Sequence, residues 1–342
     1  MTRHLRRCET PHGGEKTGKA MSANDIKRIA VVGAGLMGHG IALELAAHGF
    51  TVHLHDRDQA QLDRARDGIA YGLARLVEME RITPGEAAAA PVRITMGRDL
   101  RTAVTDSDLV IEAVSEDLEV KRALFHDIDA WTPPDAILAS NTSTFMPSLL
   151  AAATDRPQQV IVAHYFNPPY LLPLVELVRG EQTSAETVET LRALYQSIGK
   201  SPAVVQREAP GFVGNRLQMA LLREALAIVD AGIASPRDVD TIIRSSFGRR
   251  LAVAGVFEVF EAAGWDLTLA VAEQLFPAID RSTGPPASLR EKVARGELGL
   301  KSGQGFYAWT PDEAAALRQR IGDGLAAIAR LSDGTSSGDT NS

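Results

Sequence analysis

The chain has 342 residues, of which 45% are hydrophobic and 23% charged, and this composition is ordinary for a globular enzyme of two domains. Its formal net charge of -7 at pH 7 gives no electrostatic reason to expect nucleic acid as a partner. The single cysteine, Cys8, excludes a disulfide framework, and no group of residues has the spacing of metal ligands. The sequence also lacks an apolar run long enough to span a membrane, so no transmembrane helix is expected. The single cysteine fits a reducing compartment, and the expected location is the cytoplasm.

Both ends of the chain differ in composition from the rest. Residues 1–25 are polar and lack the apolar centre of a secretory signal, so they are predicted to form a disordered extension. Their three arginines leave a transit peptide open, and Met21 is an alternative start. Residues 332–342 have low complexity and are predicted to be a disordered tail.

The first elements in chain order follow a strand–helix–strand pattern. Residues 26–32 form an apolar strand, a glycine triplet follows at once, and residues 41–48 have helical spacing. Residues 51–56 then alternate as a second strand. This pattern is typical of the opening unit of a parallel sheet with helices on its faces.

The rest of the first half repeats this alternation, and the second half does not. Helical stretches are predicted at 58–80, 119–131 and 185–198, and short strands at 94–95, 108–113, 136–139, 160–164, 174–178 and 203–205. After Gln206 only helices and turns follow, the last helix covering 311–331. We therefore predict the α/β class, with a doubly wound Rossmann-type domain over 26–206 and an all-α C-terminal domain over 207–331 for substrate and dimerisation.

The glycine triplet predicts a dinucleotide site because it lies between a strand and a helix. In such a loop the glycines permit the tight turn and the close approach of pyrophosphate to the helix N-terminus. Asp56 ends the second strand, where it would bind the ribose hydroxyls and repel a 2′-phosphate, which favours NAD over NADP. Arg57 beside it weakens this preference slightly, so an NADP-dependent reductase stays a further alternative. The predicted loop contacts are Gly33, Gly35, Leu36, Met37 and Gly38.

Five further segments carry a more specific pattern, which includes Glu176 twelve positions after a histidine. The segments are Ser140–Ser143, His164–Pro168, Leu172–Leu177, Pro210–Arg216 and Gly299–Tyr307. Together with the glycine loop, they resemble the L-3-hydroxyacyl-CoA dehydrogenase family over residues 26–309. The resemblance implies oxidation of a secondary alcohol by NAD.

Alcohol oxidation requires a group that takes the hydroxyl proton, and a histidine suits this transfer near neutral pH. By the resemblance, His164 is the general base and Glu176 its partner, which would orient the imidazole and stabilise its cation. The resemblance also implies that Ser143 and Asn215 hold the reacting oxygen or the neighbouring carbonyl.

The same resemblance implies cofactor contacts beyond the glycine loop. Apart from Asn141, each of these residues also has a plainer interpretation: Glu116 and Lys121 as solvent-exposed charges at a helix start, Asn167 as a turn residue before proline, and Lys301 as a loop lysine. The residues are Glu116, Lys121, Asn141, Asn167 and Lys301.

The substrate is the least determined feature of the sequence. The family's central activity favours a short-chain 3-hydroxyacyl-CoA, similar to 3-hydroxybutyryl-CoA, and hence fatty acid metabolism. Val256 stands where the acyl-CoA enzymes usually carry proline, and residues 58–93 contain no lysine to hold CoA. A free 3-hydroxy acid is therefore the alternative, such as a gulonate-, carnitine- or pyridine-carboxylate-like acid, with Arg249 or Arg250 pairing with the substrate carboxylate. A non-catalytic dinucleotide-binding protein also stays open.

An apolar stretch in the predicted helical domain bears on assembly. It is interpreted as core or as dimer surface, and the family resemblance implies a homodimer. The stretch contains Phe247, Val253, Val256, Phe257, Val259 and Phe260.

Overall fold

The structure is a computed structural model that describes residues 21–335. The chain divides into two compact units, and the boundary lies between Pro210 and Gly211. Most of the two segments predicted to be disordered lies outside the described residues. Ala23–Asp25 form a 3-10 helix that is capped by Ser22, and the last helix continues to Thr335 rather than ending at 331.

One eight-stranded sheet organises the first unit, in the order β3-β2-β1-β4-β5-β6-β7-β8. All eight strands were predicted, with ends that differ by a few residues. The strands are β1 Arg28–Val32, β2 Thr51–His55, β3 Ile94–Gly97, β4 Leu109–Glu112, β5 Ile137–Ser140, β6 Val160–Tyr165, β7 Leu174–Arg179 and β8 Ser201–Val205. The strand order reverses between β1 and β4, and in open α/β sheets ligands bind outside the carboxyl ends of the strands at such a point.

Seven α-helices of the first unit cover the two faces of this sheet. They are α1 Leu36–Ala47, α2 Gln59–Glu78, α3 Pro84–Ala89, α4 Leu100–Val104, α5 Leu118–Trp131, α6 Pro147–Ala151 and α7 Ala185–Ser197. Alternate residues of a strand point to opposite faces. Ile29 and Val31 of β1 accordingly join a core with α1, α2 and α7, whereas Ala30 and Val32 join a second core with α4, α5 and α6. The doubly wound prediction is confirmed.

One strand pair departs from the parallel sheet that the opening elements suggest. Strand β7 runs antiparallel to β6, while every other neighbouring pair of the sheet is parallel. Only residues 166–173 join β6 to β7, and a parallel crossover needs a dozen residues or more. The short connection therefore forces the chain to turn back, and it brings residues of β6 and β7 directly opposite each other.

The second unit is helical, as predicted, and its described part contains no strand longer than an isolated bridge. Its helices are α8 Gly214–Asp230, α9 Pro236–Ser245, α10 Phe247–Leu251, α11 Val256–Ala263, α12 Trp265–Leu275, α13 Ala287–Ala294 and α14 Pro311–Thr335. Within residues 21–335, none of the helices combines the length and the apolar character needed to cross a bilayer.

Candidate active site

The glycine loop joins β1 to α1, and two of its glycines are fixed by packing. Gly33 has φ +102°, and a Cβ placed on it would lie 2.5 Å from the carbonyl oxygen of Ala113. A Cβ on Gly38 would lie 1.7 Å from the carbonyl oxygen of Gly33. A larger residue at either position would push the loop away from the sheet.

Gly35 differs from these two glycines because no packing contact within the protein requires a glycine at this position. A Cβ on Gly35 would meet no protein atom within 4 Å, and the backbone there is extended rather than left-handed. Helix α1 begins at the next residue, and its first amides have no acceptor within the helix. Leu36 and Met37 form this first turn. Open space beside unpaired amides fits the pyrophosphate of a dinucleotide.

Asp56 follows β2 and lies against the glycine loop. Its Oδ2 accepts a hydrogen bond from the Ala34 amide at 2.9 Å, and its Oδ1 accepts one from the Asp58 amide at 3.0 Å. These two bonds hold the carboxylate beside the loop that would carry the pyrophosphate. The position is suitable for contact with a ribose.

A chain of three side chains forms the centre of the candidate site. The Oγ of Ser143 lies 3.1 Å from Nε2 of His164, and Nδ1 of His164 lies 2.9 Å from Oε2 of Glu176. Because a carboxylate only accepts, this geometry assigns the proton of a neutral imidazole to Nδ1, and Nε2 is then an acceptor. His164 and Glu176 are 3% and 2% exposed, so solvent barely reaches this pair.

The sheet places these three residues by its register. His164 on β6 is paired directly with Glu176 on β7, and side chains opposite each other in an antiparallel pair lie on the same face. Ser143 comes three residues after the end of β5, which is the neighbour of β6 on the other side. The Phe166 ring packs on the imidazole, with 4.8 Å between ring centres.

Glu116 holds the segment that carries Ser143. Its Oε1 accepts hydrogen bonds from the hydroxyls of Thr142 and Thr144, at 2.5 and 2.7 Å, and from the amides of Ser143 and Thr144, at 3.1 and 3.2 Å. Partial burial would raise the pKa of Glu116, but the hydrogen bonds from Thr142 and Thr144 and the Lys121 ammonium outweigh it and lower the pKa.

A buried ion pair beneath Glu116 was not singled out from the sequence. The Lys121 ammonium lies 2.7 Å from Oε1 of Glu112 and 3.2 Å from Oε2 of Glu116, and Lys121 is only 1% exposed. Oε2 of Glu112 accepts a hydrogen bond from the Ser140 hydroxyl at 2.5 Å. The cue in the sequence is a glutamate that ends an apolar strand. A cofactor contact from Lys121 stays a prediction.

Two predicted cofactor residues lie at the ends of neighbouring strands. Asn141 follows β5 and is buried, and its Oδ1 accepts a hydrogen bond from the Tyr165 amide at 2.9 Å, which ties β5 to β6. Asn167 follows β6 and is exposed, directly before Pro168. Both therefore lie at the carboxyl edge of the sheet, and their contacts with a cofactor stay predictions.

The remaining predicted residues belong to the second unit. Asn215 lies in the first turn of α8 and is partly exposed, whereas Arg249 and Arg250 are exposed on α10. Lys301 is exposed in a turn that the bridge between Gly299 and Gln304 closes. Their roles toward cofactor and substrate stay predictions.

A dinucleotide loop and a buried histidine–carboxylate pair at the edge of one sheet define a dehydrogenase of the hydride-transferring class. Comparison with known proteins narrows this class. The chain belongs to the 3-hydroxyacyl-CoA dehydrogenase family, since the family's NAD binding domain matches residues 28–209 and its C-terminal domain matches residues 211–309. It is therefore an NAD-dependent oxidoreductase.

Relatives with different substrates are similar to this chain. A 5-formyl-3-hydroxy-2-methylpyridine 4-carboxylate 5-dehydrogenase from Mesorhizobium japonicum is 35% identical over 309 residues, which cover 90% of this chain and 99% of the relative. A crystal structure of an enzyme with this activity, described as an NAD+ dependent dismutase, is 34% identical, superposes with a TM-score of 0.85 and covers 90% of this chain and 99% of its own. A probable 3-hydroxybutyryl-CoA dehydrogenase from Deinococcus radiodurans is 38% identical over 82% of this chain and 100% of its own length. An L-carnitine dehydrogenase from Bacillus cereus is 37% identical over 76% of this chain and 78% of its own length.

The position of Asp56 leads to a prediction about cofactor choice. We expect Asp56→Asn to narrow the preference for NADH over NADPH at least about tenfold, because the carboxylate no longer repels a 2′-phosphate. The measurement is the dissociation constant of each cofactor, determined by fluorescence titration. Asp63→Asn removes one charge from the exposed face of α2 and serves as the control. An unchanged ratio in Asp56→Asn would show that the carboxylate does not face the ribose.

Proposed function

We propose that this chain oxidises a hydroxyl group on a small free carboxylic acid, with NAD as the hydride acceptor and His164 as the base. The observation that carries the proposal is the continuous contact from Ser143 through His164 to Glu176. A histidine held in one tautomer by a buried carboxylate, with its other nitrogen beside a hydroxyl, suits proton transfer from an alcohol.

The reaction removes one proton and one hydride from the alcohol. Nε2 of His164 would take the hydroxyl proton as the carbon–oxygen double bond forms. The glycine loop and Asp56 would hold NAD, and the chemistry that this cofactor would supply is acceptance of the hydride from the same carbon. The resulting imidazolium is stabilised by Glu176, since its Nδ1–H already points at that carboxylate. By the family resemblance, Ser143 and Asn215 would hold the reacting oxygen or the neighbouring carbonyl.

A free acid is preferred over an acyl-CoA on two grounds. Similarity to the pyridine carboxylate enzyme extends over 309 residues, beyond the 283 aligned with the 3-hydroxybutyryl-CoA enzyme. Arg249 and Arg250 also lie exposed on α10. A guanidinium without a carboxylate partner can bind a substrate carboxylate through two parallel hydrogen bonds. A formyl substrate enters the same chemistry as its hydrate, which has a hydroxyl on the carbon that loses hydride.

A short-chain 3-hydroxyacyl-CoA is the second candidate. The 38% identity to a 3-hydroxybutyryl-CoA relative over its whole length favours it. Helix α2 also presents arginines, among them Arg64 and Arg66, whose side chains are 63% and 64% exposed. Arginine can bind the phosphates of CoA as well as lysine can. A place in fatty acid metabolism belongs to this candidate.

A substrate panel tests the proposal and separates the two candidates. The purified chain is given NAD with free 3-hydroxy acids and with formyl- and hydroxymethyl-pyridine carboxylates, and NADH with acetoacetyl-CoA. We expect turnover of a free acid at a kcat/KM at least about tenfold above that for acetoacetyl-CoA. Rapid turnover of acetoacetyl-CoA alone would assign the acyl-CoA candidate. The absence of all turnover, with NADH still bound, would favour a dinucleotide-binding protein without this activity.

The arginine pair can be tested on whichever free acid is turned over. Arg249→Gln and Arg250→Gln are expected to raise the KM for the acid more than they lower kcat, because one charge-assisted hydrogen-bond pair is lost. Arg290→Gln, on α13 of the same unit, is the matched control. If both variants behave as Arg290→Gln does, another residue binds the carboxylate.

We also propose that the protein is a homodimer that covers an apolar surface of the second unit. Among residues 211–330 only four hydrophobic side chains are buried, namely Phe212, Leu226, Ala314 and Ala326. By contrast, Val253 and Phe257 are each 73% exposed. Monomers rarely expose apolar patches of this kind, and a second copy would bury them. A cytoplasmic location stays a prediction from the sequence.

Light scattering tests the assembly. We expect a particle of twice the 36.6 kDa chain mass at micromolar concentration. Phe257→Asp is expected to shift the particle toward the monomer, because a charge would be buried in the interface. Val92→Asp changes a side chain of the first unit that is 87% exposed, and it should leave the mass unchanged. A monomeric wild-type chain would overturn the proposal.

A further inference from the structure

A buried lysine lies close to the candidate site without belonging to it. Lys200 precedes β8 and is 7% exposed, and its ammonium lies 3.0 Å from Oε1 of Glu44 on α1, itself buried. The same ammonium donates hydrogen bonds to the carbonyl oxygens of Pro169, at 2.6 Å, and Leu172, at 3.2 Å. One side chain therefore contacts both α1 and the connection between β6 and β7.

The connection between β6 and β7, residues 166–173, packs on the helix that begins at the glycine loop. A Cβ placed on Gly40 of α1 would lie 3.0 Å from the ring of Pro169. The same connection begins with Phe166, whose ring contacts His164, and it carries Asn167. Its position thus affects both the imidazole and the predicted cofactor contact.

Lys200 is separate from the proton-transfer chain. Tyr165 belongs to the core that β6 forms with α1, and neighbouring residues of a strand point to opposite faces. His164 therefore faces away from α1, where Glu44 lies. Burial lowers the pKa of Lys200, and the Glu44 carboxylate opposes that change. The buried ammonium loses its hydration, so it is stable only with its ion-pair and hydrogen-bond partners. Two of these partners are the carbonyl oxygens of Pro169 and Leu172, which belong to the same short connection.

We propose that Lys200 is a positioning residue that fixes residues 166–173 against α1 and so sets the geometry of Phe166 and Asn167 beside the cofactor site. The inference rests on the proposed function only in expecting that cofactor binding and His164 both depend on this connection. Lys200 itself takes no part in proton transfer.

Two variants separate positioning from stability. Lys200→Met removes the donors and leaves the buried Glu44 carboxylate with only the His48 ring, whose Nδ1 lies 4.0 Å from Oε1, so the substitution is expected to lower the melting temperature. Lys200→Met with Glu44→Leu removes both charges, and an apolar pair of similar volume commonly restores stability. In this double variant we still expect the dissociation constant for NADH to rise about tenfold or more, because small displacements of contact residues are costly. Hydrogen exchange at the amides of Leu171 and Leu172, which bond to the Pro168 carbonyl, should also accelerate about tenfold.

Arg156→Met is the matched control, since Arg156 is a buried cation of the first unit that pairs with Asp129 at 2.6 Å. It should lower the melting temperature without changing the affinity for NADH. If the double variant recovers the wild-type affinity together with its melting temperature, Lys200 only stabilises the fold and the proposal is wrong. Both readouts need no substrate, so they decide the proposal even if every free acid in the panel fails. Conversely, if the Lys200 variants keep the wild-type affinity for NADH, the proposed roles of His164 and Glu176 are not affected.

Discussion

His164→Ala is expected to lower kcat about a hundred- to ten-thousand-fold, since the variant has no group at Nε2 to take the hydroxyl proton. The affinity for NADH should stay close to that of the wild type, because the glycine loop and Asp56 follow other strands, β1 and β2. The measurement combines steady-state kinetics on the best substrate of the panel with fluorescence titration of NADH. This is the largest effect that we expect from a single substitution.

The control for this variant is His126→Ala, which removes an exposed histidine of α5 and should leave kcat unchanged. Full activity in His164→Ala would remove the proton-transfer role from the Ser143–His164–Glu176 chain. A loss of NADH affinity equal to the loss of kcat would point to a collapsed site instead. Circular dichroism and the melting temperature of the variant separate that case from loss of the base.

Much of the first unit could be predicted because its signals are local. Each strand appears in the sequence as a short apolar run bounded by turns. A strand whose two faces are both covered by helices requires apolar residues at successive positions, so its sequence is easily recognised. The glycine loop could be predicted for the same reason, since its triplet directly follows a strand and opens a helix, and a Cβ on Gly38 would clash with Gly33 of the same loop. Ser143, His164 and Glu176 were found through motifs, and the structure brings their side chains into contact.

Contacts between distant segments could not be predicted in this way. The antiparallel pairing of β6 with β7 depends on the length of residues 166–173, and no pattern within either strand records the direction. The ion pair of Lys121 with Glu112 and that of Lys200 with Glu44 are also of this kind. In the sequence, a charged residue in an apolar strand or after a glycine is as compatible with a solvent-exposed side chain as with a buried ion pair.

The second unit illustrates a different limit of the sequence. Its helices follow the predicted pattern, but their apolar residues have two possible destinations, an internal core or another chain. From the sequence, Phe257 and Phe260 are compatible with either destination, and both are exposed in the single chain. Periodicity identifies an apolar face and does not identify what covers it, so only a measurement of mass can decide.

Glu176→Gln is expected to lower kcat about a hundred- to ten-thousand-fold with little change in NADH affinity. Glutamine fills the same volume, so the pairing of β6 with β7 should persist. The amide has no charge to stabilise the imidazolium that forms during proton transfer. It can also present its NH2 group to Nδ1, and the imidazole then carries its proton on Nε2, where it cannot accept another.

Glu176→Asp separates charge from position in this prediction. Aspartate keeps the charge and shortens the side chain, which lengthens the 2.9 Å contact with Nδ1, so its kcat should lie between those of Glu176→Gln and the wild type. Glu181→Gln, an exposed carboxylate two residues past β7, should have no effect. If Glu176→Gln and Glu176→Asp were equally impaired, the distance to Nδ1 rather than the charge would govern the transfer. If neither were impaired, His164 would not need a carboxylate partner, and Glu176 would only be a buried group that the strand pairing tolerates.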